Sequence, residues 1–314
     1  MRIIEQFEGL NPGARGASVA IGNFDGVHRG HRALLNTARD RAAALGAPLA
    51  VMTFAPHPRR FFQPEAPPFQ LTTDAEKARL LDGLGVDILY RLTFDADFAA
   101  ITADEFVTRV LHRGLGARHV SVGADFNFGH RRAGSPSMLR LAGDALGFNT
   151  TILGLVGESG HEFSSTAIRV MIEQGRCAEA AAQLGRWHTV SGPVAQGDQR
   201  GRELGYPTAN LAFGDQLVPR HGIYACRVEV HEGPHKGMHD GVASIGVRPT
   251  FGVNAPNFEV HLFDFSGDLY GVEISAGLVK WLRGEVKFDG IEPLIAQMDR
   301  DSAEARAVLA SLPI

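Results

Sequence analysis

Cysteine is nearly absent from this chain. Its 314 residues include two, Cys177 and Cys226, too few and too far apart for a disulfide framework, a usage that fits a reducing compartment, the cytoplasm. Long apolar runs are missing too, and none approaches the length that crosses a bilayer. The opening MRIIEQFEGL lacks the basic stretch followed by an apolar core that marks a secretory signal. Net positive charge is also lacking. Lys and Arg number 31 against 35 Asp and Glu, a balance of −4, which argues against a general nucleic-acid binder, since such a protein needs a basic surface to gain counterion release. What remains is ordinary for a globular protein, 44% hydrophobic and 21% charged, and long enough for two domains with a core each.

Up to about Leu184, short apolar strands alternate with helical stretches. Strands are expected at 19–21, 49–54, 88–92, 119–122 and 150–155, and helices at 32–44, 75–84, 103–111 and 136–146. This alternation implies βαβ units and a parallel sheet covered on both faces, with ligands bound beyond the carboxyl ends of the strands. After Trp187 the texture becomes β-rich, at 190–194, 222–230, 241–245 and 258–265, and helical periodicity returns only over 291–309. Short strands separated by glycine, proline and polar turns suggest a small antiparallel barrel capped by a C-terminal helix. The expected boundary lies at 186/187, giving domains 1–186 and 187–314. With no repeat and no low-complexity linker, the two are expected to sit close together.

The most informative segment is VAIGNFDGVHRGHRALL, residues 19–35. A strand passes through a glycine-bearing turn, with Gly22, Asn23, Phe24, Asp25 and Gly26, into an amphipathic helix. Free backbone N–H groups and the partial positive charge of a helix start make this a place for phosphate. His28 and His31 flank Gly30 three residues apart, sharing a face once helix has begun. The spacing is neither Walker A nor the dinucleotide fingerprint, and no cysteine or third ligand nearby supports zinc.

Three more segments carry polar groups at strand ends or helix starts. In TFAPHPRRFF, 53–62, two prolines stiffen the loop around His57. VGADFNFGHRRAG, 122–134, offers Asp125 for a ribose or base, Phe126 and Phe128 as a flat wall, and Arg131 and Arg132 for phosphate. In FSSTAIRVMI, 163–172, Ser164, Ser165 and Thr166 read as a capping cluster with Arg169 three residues on, a set that also suits the β- and γ-phosphates of a triphosphate.

In order and at natural spacing, GNFDGVHRGH, TFAPHPRRFF, LTTDAEKARLL, VGADFNFG and SSTAIR resemble the nucleotidyltransferase module of prokaryotic bifunctional riboflavin kinase/FAD synthetases. The second half resembles that family's kinase module through GRELGYPTANL (201–211), IGVRPTFG (245–252), FEVHLFDF (258–265), DLYG (268–271) and QMDRD. The resemblance implies a Rossmann-like nucleotidyltransferase domain with a parallel sheet, then the barrel with its helix. It places ATP on His28, His31, Ser164, Ser165, Thr166 and Arg169, with Gly22, Asn23, Phe24, Asp25, Gly30 and Asp125 bordering the nucleotide. It sets His57, Asn127 and Arg248 against the flavin substrates, riboflavin and FMN.

In the kinase half, Gly205 and Pro207 border the nucleotide, and Thr208 and Asn210 offer neutral oxygens suited to Mg²⁺. Glu259 lies between Phe258 and Val260 in an apolar strand, and the resemblance makes it the base acting on the ribityl hydroxyl. Carboxylates are weak bases, so positioning must supply much of the catalysis. The sequence departs from the family pattern at Asn127, Ser244 and Trp187, none of which is a proposed catalytic group. A cytidylyltransferase shares the HxGH turn and SST segment but leaves the second half unexplained; a non-catalytic flavin-binding regulator leaves the intact catalytic set unexplained. The expected protein is a cytoplasmic monomer or weak homo-oligomer with small-molecule substrates and no nucleic-acid or membrane partner.

Overall fold

The computed structural model describes residues 1–158, 161–197, 201, 205–247 and 256–312. They form two compact units, 1–66 with 74–164, and 67–73 with 165 onward.

In the first unit the strands are β1 Arg2–Ile4, β2 Ser18–Ile21, β3 Leu49–Ala55, β4 Ile88–Thr93, β5 His119–Gly123 and β6 Asn149–Leu153, followed by the short pair β7 Gly157–Glu158 and β8 His161–Glu162. The first six make one sheet in the order β1-β4-β3-β2-β5-β6, parallel at every pairing. The helices are α1 Arg29–Leu45, α2 Pro58–Phe62, α3 Asp74–Gly83, α4 Ala96–Ala100, α5 Ala103–Glu105 and α6 Pro136–Leu146; α5 runs into a π-helical stretch, Phe106–Gly114. Leu34, Ala38 and Ala42 recur every four residues along α1 and bury against Ala20, Val51 and Leu89 on one sheet face. Val19, Met52, Tyr90 and Val122 pack on the other face against Phe106, Val110 and Leu139. Side chains of this size contribute roughly 2 kcal/mol each on full burial. The strand order reverses at β2, whose two neighbours are reached by crossovers in opposite senses. In open parallel sheets that reversal leaves a crevice beyond the strand's carboxyl end, which here is where Gly22 begins.

The second unit opens with helices α7 Ser165–Glu173 and α8 Cys177–Leu184, and its strands are β9 His188–Pro193, β10 Ala209–Leu211, β11 Gly222–Val230, β12 Gly237–Val247, β13 Pro256–Leu262 and β14 Glu273–Arg283, with α9 Ile291–Ala310 at the end. The sheet runs β10-β13-β12-β11-β14-β9 with antiparallel pairings. Two register shifts between β11 and β14 add twist and curl. The Ala195 amide donates to the Asn210 carbonyl at 2.8 Å, so the sheet edges meet as in a small barrel. Alternation is strict on β11: Tyr224, Cys226, Val228 and Val230 fill the interior, while Ala225 faces out beneath Ala305 and Leu309 of α9. Residues 67–73 join this unit by backbone. Phe69 and Gln70 amides donate to the Asp215 carbonyl at 3.1 and 3.0 Å, and the Leu217 amide to Gln70 at 2.8 Å.

Candidate active sites

In the first unit the turn after β2 is wound tightly. Phe24 and Val27 both sit at positive φ, 50° and 42°, a conformation that costs a side-chain-bearing residue about 1 kcal/mol or more and is least tolerated by a β-branched one. Both side chains are fully buried beneath α1, and their packing holds the strained backbone in place. Phe24 was expected to border the nucleotide, but its ring lies in the core, 4.9 Å from the His31 ring, leaving only its backbone for a ligand. Asp25 is buried, and Asn23 is exposed, its carbonyl accepting from Thr53 Oγ1 at 3.0 Å.

Helix α1 begins three residues before the expected start because His28 caps it. The His28 Nδ1 accepts from the His31 amide at 3.3 Å, doing what a Ser or Asp oxygen does at most N-caps. The two imidazoles stack, centroids 3.7 Å apart and planes 20° from parallel. A Cβ on Gly30 would lie 3.1 Å from the His28 ring and 3.3 Å from Phe163, so glycine lets the cap ring fold back. Burial, the His28 ring and the Lys77 ammonium, in that order, hold the His31 imidazole well below the usual histidine range. Its Nδ1 is buried with no hydrogen-bond partner among the described residues, an arrangement that calls for a ligand. Lys77, inside the LTTDAEKARLL segment, is almost fully buried and 3.2 Å from Asp74.

The strands flanking β2 bring the other candidates to the same end of the sheet. After β3, His57 caps α2, its Nδ1 accepting from the Arg59 amide at 3.1 Å. After β5, Asp125 is exposed and its carbonyl accepts from the Asn127 side chain at 2.9 Å. Phe128 is buried, stacked on Phe126 at 5.6 Å and leaning on Phe106, so the pair is packing rather than an open wall. Arg131 and Arg132 sit at positive φ. Phe62 is 66% exposed yet contacts Phe61 and Phe94 edge-on, a supported aromatic face at the end of the helix that His57 caps. Ser164 ends the first unit. Ser165, Thr166 and Arg169 belong to the second, where the Arg169 Nε donates to the Phe69 carbonyl at 2.8 Å and its guanidinium lies over the Phe69 ring.

The barrel carries its own constellation. Phe258, Val260 and Leu262 point into the core, so Asn257, Glu259 and His261 share the outer face of β13. The register sets Glu259 opposite Asn210 on one side and Ser244 on the other. Each carboxylate oxygen accepts a hydrogen bond, from Asn257 Nδ2 at 2.7 Å and from Thr208 Oγ1 at 3.3 Å. With its proton donated to Glu259, the Thr208 oxygen keeps its lone pairs as acceptors. A Cβ on Gly197 would lie 2.4 Å from Asn210 Nδ2; only glycine permits that approach. Beside this row lies a pocket of about 550 Å³ bordered by Gly205, Tyr206, His261, Phe263 and α9. Arg248 lies outside the described residues.

These features define a two-site phosphate-handling enzyme: an α/β unit with a strained strand-to-helix turn, and a barrel with a separately held carboxylate. Residues 11–167 match the FAD synthetase family and residues 184–309 the riboflavin kinase family. Proteins named bifunctional riboflavin kinase/FMN adenylyltransferase are 40% identical in Pseudomonas fluorescens (99% of this chain, 98% of that one), 40% in Escherichia coli K12 (98% and 97%) and 36% in Bacillus subtilis (91% and 90%). A crystal structure from Streptococcus pneumoniae described as a macrolide-efflux protein superposes with a TM-score of 0.84 at 31% identity, covering 98% of this chain and 99% of that one. Among the described residues here, no helix is long and apolar enough to cross a membrane. The chain belongs to the bifunctional riboflavin kinase/FMN adenylyltransferase family. It phosphorylates riboflavin to FMN and transfers the adenylyl group of ATP to FMN, giving FAD.

Proposed function

We propose that the two reactions are divided at the domain boundary read from the sequence, with adenylyl transfer in residues 1–186 and phosphorylation in residues 187–314. The observation that carries the kinase assignment is the double anchoring of Glu259. With both oxygens held by Thr208 and Asn257, the carboxylate is oriented to take the proton of the ribityl hydroxyl as that oxygen attacks the γ-phosphorus of ATP. The transition state is loose, so positioning and electrostatics dominate.

The donor set fits Mg²⁺. Thr208 Oγ1 and the Asn210 side-chain carbonyl are hard neutral oxygens, and a Mg²⁺ bound through few protein ligands completes its shell with water and substrate phosphates. When bound, the ion would neutralise charge on the transferred phosphoryl group.

In the first unit the FMN phosphate is already an anionic nucleophile for the α-phosphorus of ATP, and no covalent enzyme intermediate is needed. Helix α1, with His28 and His31 at its start, faces the departing pyrophosphate. His57, Asn127 and the supported ring of Phe62 suit the flavin. His31 is neutral in the free enzyme, so it acts first as an N–H donor.

The expected setting is the cytoplasm, with the protein a monomer or weak homo-oligomer and nucleic acid no partner. The test is modular. Glu259→Gln is expected to abolish FMN formation from riboflavin while FAD still forms from supplied FMN. A folded Glu259→Gln protein that retains the kinase reaction removes the assignment.

A further inference from the structure

The pocket lined by His261, which shares the outer face of β13 with Glu259, has one wall from the sheet and one from α9, and a side-chain hydrogen bond ties the PTAN approach to that helix. The Tyr206 hydroxyl donates to Asp299 Oδ1, 93 residues on. The Tyr206 ring lies against the His261 ring, centroids 5.0 Å apart, and the His261 Nδ1 donates to the Pro207 carbonyl at 2.8 Å. Tyr206, His261, Phe263, Ile295, Asp299 and Arg306 all line the cavity. The helix end of the tether is itself fixed. Arg283 at the end of β14 grips the buried Asp301 through two hydrogen bonds, 2.8 and 2.6 Å, and Gln297 adds a third at 2.8 Å. Asp299 is thus presented from a clamped helix, while Tyr206 belongs to the loop that leads into Thr208. Burial and the Asp299 carboxylate raise the Tyr206 hydroxyl above its ordinary range, which keeps it a donor.

We infer that Tyr206 and Asp299 form a positioning pair that sets the width of this pocket, and so the affinity of the kinase site for the ring-bearing substrate seated there. Neither residue touches the reacting atoms. The inference rests on the barrel being the kinase site. It adds that Asp299, within the QMDRD segment of the C-terminal helix, controls substrate affinity by holding an aromatic wall.

The test compares Asp299→Ala, Asp299→Asn, Tyr206→Phe and the double variant Tyr206→Phe/Asp299→Ala in the full chain, with ATP and riboflavin titrated separately. FAD formation from supplied FMN monitors the other unit of the same molecules. Asp299→Ala and Tyr206→Phe are each expected to raise KM about tenfold for one of the two substrates, equivalent to ~1.4 kcal/mol, with kcat changed less than about threefold. The double variant is expected to be no worse than either single one, because both remove the same bond. Asp299→Asn keeps an acceptor and is expected to restore most of the affinity. Unchanged KM values for both substrates, additive losses, or equal loss in Asn and Ala variants would overturn the inference. Loss of kinase turnover with Glu259 intact and FAD formation also reduced would indicate a folding defect, and that too would refute a positioning role. Retention of kinase activity in Glu259→Gln would instead remove the underlying site assignment.

Discussion

Glu259 and His31 show how little a residue's identity says until its partners are known. A glutamate on a strand usually faces water; this one is made into an oriented acceptor by Asn257 and Thr208. Removing Asn257 takes away one of the carboxylate's hydrogen bonds and leaves the charge in place. Asn257→Ala is expected to lower kinase kcat by about tenfold, ~1.4 kcal/mol of lost orientation, with FAD formation from FMN unchanged; steady-state kinetics on both substrates check it. His31 is the opposite case, a residue whose surroundings suppress its usual charge. Its imidazole is held well below the histidine range by burial, His28 and Lys77. The His31 Cε1 proton resonance of the free enzyme is therefore expected to stay at its neutral shift as pH falls through 6.5. A midpoint near 6.5 in that NMR titration would refute the stacked, buried geometry.

At the scale of elements, the close approach at Gly197 gives the sharpest prediction. A methyl group there collides with the Asn210 amide, so Gly197→Ala is expected to reduce riboflavin phosphorylation at least about tenfold by pushing the Asn210 side chain from its place opposite Glu259. Isothermal titration with Mg²⁺ and ADP should show the matching loss of affinity.

The alternation of strands and helices in the first half was legible because period-2 and period-3.6 patterns differ plainly, and the inward alternation of the barrel strands likewise. The start of α1 was displaced by three residues because an imidazole is not a usual N-cap. The attachment of residues 67–73 was illegible for another reason. It rests on backbone bonds to residues 215–217, which leave no side-chain signature. The strained φ values of Phe24 and Val27 were hidden too, since neither residue type advertises a left-handed turn. Of the proposed site, the positions along β2, β10 and β13 followed from motif spacing. The supporting roles of Lys77 and Asp299 did not, because each acts on a residue of another element brought near by folding.

At the scale of the whole molecule, both units carry a histidine that must stay neutral. In the first, Ser18 Oγ donates to the Ala38 carbonyl at 2.8 Å, so His119 Nδ1 donates to Ser18 at 2.8 Å and its Nε2 accepts from Thr151 at 2.9 Å. Burial, with Arg41 adding to it, lowers His119 to about 4. In the barrel unit both ring nitrogens of the buried His188 lack hydrogen-bond partners among the described residues, and burial, then Arg186, lowers it to about 3. Folded pKa values below the unfolded 6.5 mean that the unfolded chain binds the extra protons first. Stability from each is thus intact above about pH 6.5 and falls by up to ~1.4 kcal/mol per pH unit below it, until pH reaches the folded value. Denaturant melts at pH 7 and pH 5 are expected to show this loss, and His188→Leu to shrink it for the barrel unit.

The central claim is that one chain holds two separate reaction sites, and chromatography of the flavin products tests it most directly. Wild-type protein with riboflavin, ATP and Mg²⁺ is expected to give FMN and then FAD. Under the same conditions His31→Ala is expected to stop at FMN, and Glu259→Gln to give no flavin product until FMN is supplied, when FAD appears. If either substitution, in a folded protein, silences both reactions or neither, the division of labour described here is wrong.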